Sequence, residues 1–301
     1  MKATRYLALA TACLAAVSCS INRLAVNKLG DALAAGSSTY ATDDDPELVG
    51  QALPFALKTI EGLLESVPEH RGLLLAAASG FTQYSYAYVH CEADYVEGGD
   101  LARATALRRR AVRLYRRASA YGLRGLEAAV PGFAAVLRRD PAAAVARLGR
   151  DEAEVAYWTA LSWAAAASVS KEGELVADLP LAEALMRRAL ELDEGFGGGA
   201  IHDFFVSYEG GRPAAAGGSA ERARAHLDRA LELARGGRVA PLVGFAETVC
   251  VAQQNRGEFA VLLERALALD ADRYPEQRLA NLVAQKRARW LLARADELFI
   301  E

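Results

Sequence analysis

The sequence predicts an all-α protein: a right-handed solenoid of antiparallel helical hairpins built from cryptic tetratricopeptide-like repeats. Three observations carry that prediction. No stretch of six or more residues alternates strictly between apolar and polar, the pattern of a half-buried strand, whereas Leu, Ala and Arg recur at helical spacing throughout. Gly and Pro breaks divide the chain into about a dozen amphipathic segments joined by short turns. Finally, Leu181 to Asp193, Arg222 to Ala234 and Glu258 to Asp270 share an Arg-Ala-Leu-x-Leu core. Its alanines fall at 189, 230 and 266, offsets of 41 and 36 residues, near the roughly 34-residue tetratricopeptide period. The second helix of that repeat carries a small residue, a bulky one four later and an alanine three later still, so that paired helices approach closely. Ala182, Met186, Ala189 and Ala223, Leu227, Ala230 obey this spacing, and Phe259 breaks it in the third copy.

The elements follow in order. Lys2 and Arg5 precede an apolar run from Tyr6 to Val17, and no acidic residue occurs before Asp31. That is the layout of an export signal over residues 1–18, and the run is too short for the roughly 20 residues of a spanning helix. Ala16-Val17-Ser18-Cys19 reads either as a lipobox that leaves a lipidated Cys19 at the new N-terminus, or as an Ala-x-Ser site for ordinary signal peptidase. Residues 19–45 form the anchor, a short amphipathic helix (Ile21, Leu24, Ala25, Leu29, Leu33) and a linker. The helical-repeat domain, 46–301, opens at Asp45-Pro46-Glu47, with an N-cap Asp, Pro at the first helical position and an acidic first turn. Helices are then expected at Pro46 to Ser66, Gly72 to Val96, Leu101 to Tyr121 (ending at Gly122), Pro131 to Arg139 and Pro141 to Leu148. Further helices are expected at Glu152 to Lys171, Pro180 to Asp193, Ala200 to Tyr208, Ser219 to Arg235, Pro241 to Asn255, Glu258 to Asp270 and Pro275 to Leu298.

Composition bounds the function. The 301 residues are 52% hydrophobic, ample for a core, and carry a formal charge of −3. Losing Lys2 and Arg5 with the signal makes it −5, so nothing suggests the basic face that nucleic acid requires. Cys91 and Cys250 remain after Cys13 and Cys19 are set aside; export permits a disulfide between them, and two isolated buried thiols are the plainer reading.

Few constellations point to chemistry. Gly195-Phe196-Gly197-Gly198-Gly199-Ala200 matches a dinucleotide fingerprint, but a helix precedes it where the motif needs a strand. In Tyr88-Val89-His90-Cys91-Glu92-Ala93-Asp94 only His90 and Asp94 share a helix face, so a metal would need a third ligand from elsewhere, such as His202-Asp203. Four histidines supply acid–base catalysis thinly. No catalytic residue, cofactor or metal is therefore assigned, and the chain is expected not to be an enzyme. Arg109, Arg113 and Arg116 form one stripe on a helix and offer a basic face to a carboxylate-rich partner, or else a solvated surface. Phe81, Tyr84, Tyr88, Tyr157, Trp158, Trp163, Phe205 and Tyr208 are candidates to line a ligand or partner groove; each can equally be core.

Asp43-Asp44-Asp45-Pro46-Glu47-Leu48-Val49 with Ala52 to Lys58, Ala78 to Tyr84, Leu114-Tyr115 with Tyr121-Gly122-Leu123-Arg124, and Tyr157-Trp158 with Ser170-Lys171 resemble the T component of TRAP transporters, the TatT family. So do Ala184 to Asp193, Arg278 to Leu282 and Arg287 to Leu292, collinearly across nearly all of the mature chain. The resemblance implies a periplasmic lipoprotein that forms a homotrimer with a central pore. It also implies docking of a solute-binding P subunit, which delivers a ligand, proposed in the family to be a hydrophobic small molecule, to a membrane permease. Membrane attachment would run through the lipid on Cys19, and Ser20 after it favours the outer membrane. No pore residue is carried over by number. The alternative function is a tetratricopeptide-type scaffold lipoprotein for envelope protein assembly.

Overall fold

The computed structural model describes residues 27–31, 37–170 and 173–300. The proposed signal and Cys19 lie outside them. Every regular element among the described residues is helical, and none is long and apolar enough to cross a membrane.

The first long helix, α1 (Pro46–Ser66), starts where the sequence says it should. The Asp45 carboxylate accepts the N–H groups of Glu47 and Leu48, both at 3.0 Å, with Pro46 behind it. Next, α2 runs from Arg71–Ser85 through a π-turn, Tyr86–His90, into Cys91–Val96. His70 caps it, its Nδ1 accepting from Leu73 N at 3.2 Å. Then α3 (Leu101–Ala129), capped by Asp100, continues through Gly122, where the sequence suggested an end. Gly122 is buried; a Cβ there would lie 3.0 Å from Thr159 Cβ and 3.2 Å from its backbone Cα. This glycine is a contact point between helices, not a helix breaker.

The short α4 (Phe133–Arg139) and α5 (Pro141–Val145) lead into α6 (Ala153–Val169). It is followed by α7 (Leu179–Leu192), α8 (Ala200–Gly210), α9 (Ala220–Ala234), α10 (Ala240–Phe245 with a π-turn at Ala246–Cys250), α11 (Arg256–Ala268) and α12 (Arg278–Ala293). Sequential neighbours pack together: α2 on α3, α3 on α6, α6 on α7, α8 on α9, α11 on α12. Small residues make the seams: Ala77, Ala111, Ala118, Ala156, Ala160, Ala189 and Ala230 are fully buried. The repeat cadence coincides with burial in all three copies, since Ala182, Met186, Ala223, Leu227, Phe259, Leu263 and Ala266 are also buried. Phe259, the large residue of the third copy, meets the ring of Phe299 edge-on at 4.9 Å.

The core forms three clusters: one between α1, α2, α3 and the end of α6, one from Leu126 to Phe205, and one from Val206 to Phe299. The chain then returns on itself. Helix α12 packs on α1 and on the short helix Ser37–Ala41, Arg278 Nη1 donates to the Thr42 carbonyl at 3.0 Å, and Trp290 meets the ring of Tyr95 at 5.5 Å.

Candidate functional site

The most concentrated polar chemistry lies where the end of the chain meets its beginning. Both π-turns serve this place: each re-aims the side chains beyond it, and a buried cysteine, Cys91 or Cys250, marks the end of each. Arg287 of α12 is the centre. Its Nε and Nη2 donate to the two carboxylate oxygens of Glu247 on α10, a fork-like pairing. Its Nη1 stands 2.8 Å from Asp94 Oδ2, close as an ion pair without the alignment of a hydrogen bond. The guanidinium also lies 4.3 Å from the centroid of the Trp290 ring. Asp94 in turn accepts from Arg108 Nη2 at 2.9 Å, and Arg108 grips Glu97 at 2.6 and 2.9 Å. Glu247, Arg287, Asp94, Arg108 and Glu97 thus form one alternating row of charges across α10, α12, α2 and α3.

Burial and charge oppose each other here, and charge prevails at the ion pairs. Burial by itself would raise Asp94, but Arg108 and Arg287 overcome it and hold the carboxyl below its usual range. Burial would lower Arg287, and Glu247 more than reverses that. At His90 burial outweighs the pull of Asp94, so the ring stays neutral at lower pH than usual; its Nδ1 sits 3.3 Å from the Tyr115 hydroxyl. Tyr86 stands edge-on to His90 at 6.2 Å. Burial pushes the Cys91 thiol up to about 11. The thiol stays protonated at neutral pH beside the charged row, which ties four helices together as an ionic clasp.

A second knot joins the middle and last clusters. Arg238 pairs with the half-buried Asp203, donates to the Gly197 carbonyl at 2.8 Å and to Gln277 at 3.0 Å. Burial raises Asp203 despite this arginine. Nearby, Glu194 Oε1 lies 3.3 Å from His202 Nε2, and His202 Nδ1 lies 2.8 Å from His226 Nδ1. The order fixes the tautomers of neutral rings: His202 gives its Nε2 proton to Glu194, and His226 donates from Nδ1. Arg229 holds Glu194 down to about 2, while burial and His202 bring His226 down to about 4.

The residues singled out from sequence fall in several places. Phe81 and Tyr84 belong to the first core cluster; Tyr157, Trp163 and Phe205 belong to the second, and all five are buried. These five rings therefore lie in the hydrophobic interior, the core alternative that rings at helical spacing leave open. Tyr88, Trp158 and Tyr208 are half-buried at the edges, with Tyr208 donating to Glu183 at 2.7 Å and the Tyr88 hydroxyl buried without a partner. His90 and Asp94 do not converge with His202 and Asp203; their partners are Tyr115, Arg108 and Arg287 in the one case, Glu194, His226 and Arg238 in the other. No group of three or more potential ligands converges among the described residues. Arg109, Arg113 and Arg116 are all exposed on α3. Cys91 and Cys250 are free and buried.

Sequence reasoning missed Arg287, Glu247, Arg238 and His226. One signal was available on α12, where Asn281 and Gln285 interrupt an otherwise apolar stripe that includes Ala284, Ala288 and Leu291. Both are buried and satisfied: Asn281 bonds Val239 N and Gly237 O, and Gln285 bonds the carbonyls of Ala266 and Leu269. Polar residues in such positions mark a helix that packs against chain ends and turns.

The helical array on which these sites sit coincides with one family model, that of the TRAP transporter T-component, which matches residues 42–299. The chain belongs to the TRAP transporter T-component family. The match starts at the linker before α1 and stops at Phe299, so it includes both ends of the ionic clasp. A protein of Treponema pallidum (strain Nichols), described only as uncharacterized, is 29% identical over 308 residues, covering 96% of this chain and 95% of its own length. As a T-component, the protein is an accessory part of a TRAP transport system.

Proposed function

We propose that this protein is a periplasmic, lipid-anchored subunit that docks the solute-binding P subunit of its transporter and channels the released ligand, a hydrophobic small molecule, through a homotrimeric pore. The reading involves no bond chemistry. The family match over residues 42–299 carries it. Arg109 and Arg113 support a docking role for α3, because both are exposed and have no carboxylate within ion-pair distance among the described residues. The repeat cadence, buried in all three copies, supports a tetratricopeptide-like solenoid.

The test is capture of a TRAP solute-binding P subunit from the same organism, using immobilised full chain, with R109E/R113E/R116E as the surface variant. Binding that falls at least tenfold in the variant and weakens with salt supports docking through α3. No capture by the wild-type chain overturns the docking function. Mass spectrometry of the mature N-terminus tests the anchor, expecting diacylglycerol on Cys19.

A further inference from the structure

A cavity of about 300 Å³ lies at the other end of the last two hairpins, away from the ionic clasp. One wall is the turn after α9, at Gly236, Arg238 and Val239. The other is the turn after α11, at Leu269, Asp270, Arg273 and Tyr274. The walls are built to fit each other: Gly236 has φ +79°, and a Cβ at Gly237 would stand 2.8 Å from Tyr274 Cδ1, so the glycine pair lets the tyrosine ring lie close across the turn. Leu231, Ala268 and Leu269 give it an accessible apolar floor, backed by the buried Val239 and Leu242.

The charges on this cavity do not balance. Arg238 is committed to Asp203, Gly197 and Gln277. Arg265 and Arg273 have no carboxylate within ion-pair distance among the described residues. The one acidic lining residue, Asp270, uses Oδ1 to accept the Asp272 N–H. Two uncommitted guanidinium groups above an apolar floor suit a ligand with an anionic head and a short apolar tail. The geometry points to a binding site between α9, α10 and α11 for a small amphiphilic anion, a carboxylate or phosphate head facing Arg265 and Arg273 and an alkyl tail on Leu231, Ala268 and Leu269. This site lies apart from the Arg109, Arg113 and Arg116 stripe on α3.

Calorimetric titration of the full chain with octanoate and with octyl phosphate, against octan-1-ol as the uncharged comparator, tests it. One-to-one binding of an anion is expected with Kd between about 0.1 and 3 mM, given the size of the ligand. The better of the two anions identifies the head group. Hexanoate should bind roughly tenfold more weakly than octanoate. R265Q/R273Q should lose at least tenfold while its thermal midpoint is unchanged, both side chains being exposed, and R265K/R273K should keep part of the affinity. Absence of saturable binding by either anion, equal binding of octan-1-ol, or binding unaffected by R265Q/R273Q each overturns the proposal.

Discussion

Replacing Arg287 by alanine should loosen the junction between the two ends of the chain more than it disturbs the core. The side chain is 9% exposed and serves two carboxylates, Glu247 at 31% and Asp94 at 16% exposure. Removing one member of a buried ion pair typically costs about 3–5 kcal/mol, because the other charge is left uncompensated. Two features reduce that here: Asp94 keeps Arg108, and Glu247 is partly in water. Lost stacking on Trp290 adds about 0.5–2 kcal/mol. The expected net loss is about 2–4 kcal/mol, or roughly 5–15 °C in Tm for a domain of this size. Urea unfolding gives the free energy, and hydrogen exchange locates it: protection should fall first along 278–293 and 89–96. R287M should recover the packing share, and E247Q/R287A should be less destabilised than the sum of its single variants by 1 kcal/mol or more. A loss below 0.5 kcal/mol, or strict additivity with E247Q, would refute the clasp.

Three further outcomes follow from the same structure. Helix propensity favours Ala over Gly by about 1 kcal/mol. G62A, with open space around it on α1, should therefore stabilise by about 0.5–1 kcal/mol, whereas G122A should destabilise by about 2 kcal/mol or more through collision with Thr159; chemical denaturation of the pair reads the opposite signs. His226 titrates near 4 when folded and near 6.5 when unfolded, so the unfolded state binds more protons between those values. Its contribution is complete above 6.5 and lost as pH falls toward 4, about 1–2 kcal/mol by pH 5, and H226Q should flatten the stability slope over that window. In a C13S/C19S background, Cys91 and Cys250, with thiols pushed up to about 11 and about 12, should resist a thiol reagent at pH 8 until the protein is unfolded, when two equivalents react.

Helix identity was legible in the sequence because the same residue types that favour helix also form its apolar stripes. The cap at Asp45 and the buried alanines of the repeat could be read directly. What failed did so for identifiable reasons. Gly122 looks like a terminator when only local propensity is considered, and its actual role depends on Thr159, 37 positions later. The aromatic rings were ambiguous between groove and core because hydroxyl-bearing rings suit both, and only the surroundings decide. The π-turns at Tyr86–His90 and Ala246–Cys250 have no local signature, since the additional residue is accommodated by packing of neighbouring helices.

The contact between the chain's ends constrains how a protein of this kind can transmit a docking event. In an open repeat array each unit touches only its sequence neighbours, and a disturbance at one end decays along the stack. Here Arg287 contacts Asp94, so α12 and α2 share one ionic row, and Arg278 contacts Thr42, 236 positions away. Arg108 of that row lies on the same helix as the exposed stripe Arg109, Arg113 and Arg116. A partner bound to that stripe would therefore bear on a helix whose next residue is already tied to Asp94 and, through it, to α12. If docking is coupled to the chain's ends, D94N should weaken P-subunit binding without touching the stripe. If the stripe acts alone, D94N should lower stability and leave binding intact, and comparing the two readouts on one variant separates a shared mechanical element from a purely local contact.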